Sequence, residues 1–168
     1  MEKERKIQLI RESMKQNRYP LKYESRYSYS DSNCYSYALG SRYKEERYSE
    51  GYIYNLGSMS GYDPPKDKKE AEEAFMSDMK VLGIKVRKSS LSEETRNGEW
   101  KVVLFFDYEF DEIYKISFRD FHFARQDEDG SWSHKEFIEG PVRSLGSNPE
   151  YCTDLNLVGY YILKFEEI

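Results

Sequence analysis

Every strongly β-prone segment of this 168-residue chain lies after residue 83, and every helical period lies before it. A run of helices followed by a run of strands leaves no room for alternating crossover units. It therefore excludes a parallel sheet and predicts an α+β fold, an antiparallel sheet with N-terminal helices packed on one face. Strands are expected at 84–87, 100–108 (WKVVLFFDY), 120–126, 131–137 and 158–165 (VGYYILKF). The segment Asp127-Glu128-Asp129-Gly130 between the third and fourth reads as a hairpin turn.

The helical half is less even. Ile7, Ile10 and Met14 recur at helical spacing, with Leu9 beside them, and predict a helix over 3–18 that Pro20 ends. The expectation is one domain over 1–168 with residues 1–18 as a helical extension. A short helix is expected over 33–40 (NCYSYALG), with Asp31, Ser32 or Asn33 as its cap and Gly40 as its stop. Pro64, Pro65 and the Asp67–Glu70 capping spacing open a third helix, whose apolar face is Ala71, Ala74, Phe75, Met79 and Leu82. Residues 19–32 read as an irregular Tyr/Ser-rich lead-in, and 41–62 carry no clear period.

Charge and composition exclude several classes. Lys plus Arg is 26 against 31 Asp plus Glu, a net charge of -5, which argues against a nucleic-acid partner. Two cysteines cannot build a disulfide framework. No apolar run is long enough to span a membrane, and residues 1–16 lack the apolar core of a signal peptide. A cytoplasmic location is expected, the cytoplasm of a phage-infected host included. Sixteen tyrosines and nine phenylalanines in a chain of mean hydropathy -0.90 point to an ordered, aromatic interior under a polar surface.

The residues able to carry chemistry are few. His122 and His134 are the only histidines and fall in the same predicted hairpin, nearly opposite each other on adjacent strands. In Phe121-His122-Phe123 the imidazole points away from its aromatic neighbours, and Trp132 shares a face with His134. One ring can then orient the other. Cys34 stands at the start of the second predicted helix, where free N–H groups favour a thiolate and can contribute to an oxyanion hole. The expected site is Cys34 as nucleophile, His122 as base and His134 as orienting group, with Asp107 or Asp120 as alternatives to His134. Arg125 and Gln126 are expected to contact substrate at the mouth of the cleft, with Trp132 as its wall. Two histidines and a cysteine are also a donor set for zinc, but no CxxC or HxxxH spacing supports it, so no metal is expected. Cys152 is expected to be structural, and the acidic residues Glu109, Asp111 and Glu112 to form a solvated turn.

A cysteine at a helix start, then a strand histidine, then a second histidine one hairpin later resembles the papain-like cysteine peptidases of NlpC type. Cys34, His122 and His134 match that pattern in order, type and spacing. The blocks NCYSYAL (33–39) and DFHFARQDEDGSWSHK (120–135) also resemble segments that recur together in bacterial and phage proteins. The usual Asp-Cys-Ser of the NlpC-type nucleophile is replaced by Asn33-Cys34-Tyr35. The resemblance implies a papain-like α+β fold and a cysteine hydrolase that cuts an amide or isopeptide bond of a peptide or protein through a thioester, with no cofactor. It also implies that an upstream tyrosine, Tyr27 or Tyr29, donates to the oxyanion. The alternatives are an inactive papain-like binding module and a deamidase or transglutaminase-like effector that modifies a protein partner.

Overall fold

In the computed structural model, which describes residues 2–24, 32–45, 51–136, 138 and 140–166, six strands form one sheet. They are β1 (Ile84–Ser89), β2 (Trp100–Asp111), β3 (Ile116–Gln126), β4 (Trp132–Lys135), β5 (Val142–Gly146) and β6 (Leu157–Phe165). Their order is β1-β6-β2-β3-β4-β5, and each pairing is antiparallel. Three helices, α1 (Lys3–Lys15), α2 (Cys34–Leu39) and α3 (Lys68–Val81), precede or abut the strands in the chain.

Strand alternation sorts the core into two layers. Val102, Leu104 and Phe106 of β2 face the helices, together with Phe123, Tyr161 and Leu163. That layer also takes Ile10 and Met14 of α1, most of α2, and Ala71, Ala74, Phe75 and Met79 of α3. All three helices therefore cover one face, and α1 is built into the main core. The odd-numbered Val103 and Phe105 turn the other way, to Ala124, Trp132 and Tyr160. Among the described residues no α-helix covers that second layer. Leu155, Leu157 and Cys152 flank it instead.

Local chemistry sets the helix ends. The Asp67 carboxylate accepts from the Glu70 N–H at 2.8 Å, and Asn33 Oδ1 accepts from the Ser36 N–H at 3.0 Å. Gly40 ends α2 at φ 73°, and a Cβ there would meet Leu21 at 2.8 Å, so both backbone and space demand glycine. The first helix stops three residues before the predicted end, because Asn17 turns its amide to the Gly40 carbonyl at 2.8 Å. Strand β2 and β3 run further than predicted. Of the acidic residues expected in a turn, Glu109 and Asp111 belong to β2 and Glu112 to the hairpin tip, where Asp111 Oδ1 accepts from the Ile113 and Tyr114 N–H groups. Strand β4 ends at Lys135, and Phe137 lies outside the described residues. Strand β5 was not expected from the sequence. Among the described residues no helix is long and apolar enough to cross a membrane.

Candidate functional site

The histidine pair sits on the helix-free face. Phe121 and Phe123 pack against the helices, so parity turns His122 to the opposite side with Ala124. Register pairs Ala124 with His134, which brings His134 to the same side. The two histidines are diagonal neighbours, not directly opposite as expected. The reason is the turn: Gln126 pairs with Trp132, five residues separate them, and Gly130 at φ 87° closes the loop back to Asp127. Side-chain length spans the diagonal. His122 Nε2 and His134 Nδ1 share a hydrogen bond of 2.8 Å, with the ring planes at 89°. Burial pushes His122 down to about 4, and the neighbouring His134 adds to the shift. Burial also lowers His134; Glu136 opposes the shift and Arg143 reinforces it. Both rings are therefore neutral near pH 7.

The thiol beside this pair belongs to Cys152, not Cys34. One ligand atom from each of His122, His134 and Cys152 lies within 4.8 Å of the other two. A short 3-10 turn, Pro149–Tyr151, delivers Cys152. Asn148 caps the turn by accepting from the Glu150 N–H, and Tyr160 of β6 donates to the Glu150 carboxylate at 2.8 Å. The Asn148-Pro149-Glu150 cap signal is legible in the sequence, but it lies fourteen residues beyond His134, with the unpredicted β5 between. Cys152 is half-buried, and burial raises its thiol to about 11. Glu136 reaches the cluster edge, with Oε1 3.9 Å from His134 Nε2.

Cys34 occupies the other layer. It is buried in the helix-side core with Tyr35 and Phe123, and burial pushes its thiol up to about 12, despite the Phe123 backbone N–H that favours the thiolate. Asp120 raises it further, and neither histidine is among the groups that shift it. The expected Cys34–His122 contact fails because the α2 start rests on the aromatic face of β3, which is the face His122 leaves. Both cysteines are free thiols.

The remaining expected groups divide in the same way. Arg125 is fully buried on the helix side; its guanidinium donates to Asp127, to the Tyr37 carbonyl and to the Lys22 carbonyl. It braces the fold and does not reach the histidine face. Gln126 donates to the Gly130 carbonyl and tightens the hairpin turn. Trp132 is a wall of the site and part of its core, edge-on to Tyr160 at 5.7 Å. Asp107 does not orient a histidine, since its carboxylate takes both the backbone and the amide N–H of Asn156. Tyr27 and Tyr29 lie outside the described residues.

No protein-family model matches this chain, and no curated protein or solved structure shows significant similarity to it.

Proposed function

We propose that the protein is a cysteine hydrolase whose working thiol is Cys152, with His122 as base and His134 as orienting group. The NlpC-type resemblance enters this proposal through the two histidines. The observation that carries it is the hydrogen-bonded His122–His134 pair at 2.8 Å with the Cys152 thiol gathered on the same face.

The reaction is acyl transfer from an amide of a peptide or protein. The Cys152 sulfur bonds to the carbonyl carbon as its proton passes to the His122 ring. The C–N bond then breaks, and the amine leaves with that proton. Water attacks the thioester, giving its proton back through His122 and restoring the thiol. Because thiol and imidazoles are neutral at rest, His122 acts as a general base at the moment of attack and not as half of a standing ion pair. His134 supports the imidazolium that forms, and the Glu136 carboxylate lies on the far side of His134 to share the charge.

The test is acyl capture. With p-nitrophenyl acetate as donor, mass mapping should find the acetyl group on Cys152, and His122→Ala should abolish it. Acetylation confined to lysines, or unchanged by His122→Ala, would overturn the assignment. A binding module is the second reading, favoured by the β2–β3 tip, where Ile113 and Tyr114 are 84% and 73% exposed. Absence of any Cys152 acyl adduct would transfer support to it.

A further inference from the structure

We propose that His122, His134 and Cys152 form a three-donor binding site for a borderline-soft divalent cation of the zinc class, with a fourth position left to water. The site shares its side chains with the hydrolase reading but does not depend on that chemistry.

Two imidazoles and a thiolate are the donors such an ion prefers. Zinc bonds of about 2.0–2.3 Å place tetrahedral donors roughly 3.3–3.7 Å apart. The three donor atoms already lie within 4.8 Å of one another, so side-chain adjustments of about an ångström bring them to one ion. They come from rigid elements: adjacent strands hold the histidines, and a capped turn tied to β6 holds the thiol. Trp132, Phe105 and Tyr160 supply the apolar surround that strengthens such bonds. Charge also balances, since one thiolate and the Glu136 carboxylate at the edge of the site neutralise a dication. Arg143, opposite His134 in the β4–β5 register, is the nearby cation that works against it.

Binding forms one metal–sulfur and two metal–nitrogen bonds and displaces water from the aquo ion. The thiol proton goes to solvent, one per ion. The N–H shared between the rings moves through solvent to the other nitrogen of its own imidazole. The ion thereby occupies the thiol, so a metal-loaded protein should not accept an acyl group.

The experiment is titration of metal-free protein with Co²⁺, read by the thiolate-to-cobalt absorption band, followed by displacement with Zn²⁺. One equivalent should saturate the band and Zn²⁺ should remove it. Cys152→Ser should lose the band, His122→Ala should weaken binding by more than about hundredfold, and Cys34→Ser should keep both. Circular dichroism checks that each variant is folded. Glu136→Gln should weaken binding less than loss of a histidine. No saturable band, a band that survives Cys152→Ser, or equal affinity in His122→Ala would overturn the site. Acetylation of the metal-free protein is scored separately, so failure of the hydrolase reading and failure of the metal site are distinguishable.

Discussion

The two faces of the sheet bury polar groups for opposite ends. On the helix side, Arg125, Asp127, Ser133 and Tyr37 form a closed circuit: Arg125 to Asp127 at 2.9 Å, Ser133 to Asp127 at 2.6 Å, and Tyr37 to Ser133 at 2.6 Å. Backbone carbonyls take the rest of the guanidinium. Such a circuit is complete and rigid, and it can exchange nothing without loss. On the helix-free side, two neutral imidazoles share one hydrogen bond with a thiol beside them, and the group stands close to solvent through Cys152 and Glu136. Polar burial by itself therefore does not distinguish the two faces; spare bonding capacity on the half-open one does.

Breaking the circuit should give the largest effect. Asp127→Ala leaves the Arg125 charge buried and uncompensated, and should cost about 3–5 kcal/mol of stability. Denaturant unfolding should show this loss, while His134→Ala should leave the midpoint much nearer that of the parent. A comparable loss in both would erase the contrast between the faces.

Activity should show the reverse order. His122→Ala should lower turnover by about 10²–10⁴. His134→Ala should retain more, and His134→Asn should recover part of the loss, because an amide can still accept from the other ring. Turnover that follows only the melting temperature would make both histidines structural.

Stability should also depend on pH through the helix-free face. His122 has a folded value of about 4 against about 6.5 when unfolded, so the unfolded chain binds the extra proton between those values. Its contribution is intact above pH 6.5 and is lost as pH falls toward 4. The size is about 3 kcal/mol, and His134, shifted the same way, adds to it. Thermal melts across this window should slope less in His122→Asn than in the parent. Equal slopes would mean that His122 is not buried neutral. The smallest of these effects belongs to the helix face: Asn33→Ala removes the α2 cap and should cost about 1 kcal/mol.

Much of the fold was legible in residue patterns. The order of helices and strands, the Asp67 cap and the apolar face of α3 follow from spacing that local physics decides. Parity within Phe121-His122-Phe123 was legible too, and it already separated the imidazole from its aromatic neighbours. What the pattern could not tell was which of two apolar faces the helices would cover. Phe121 and Phe123 on one side and Ala124 and Trp132 on the other are equally fit for burial. Once α2 packs on the phenylalanines, Cys34 is separated from His122. Strand β5 leaves no clear pattern because Val142-Arg143-Ser144-Leu145-Gly146 is short and half polar, and without it nothing brings Cys152 back toward the hairpin.

Competitive alkylation of the two thiols tests this division of faces most directly. Iodoacetamide at neutral pH, followed by peptide mapping over time, reports the rate at each cysteine in the same folded molecules. Cys152, half-buried beside the histidines, should react at least about tenfold faster than Cys34, which is sealed in the helix-side core and carries the higher thiol value. His122→Ala should change the Cys152 rate and leave that of Cys34 alone. Faster labelling of Cys34, with a rate that His122→Ala alters, would place the working thiol on the helix face and contradict the account.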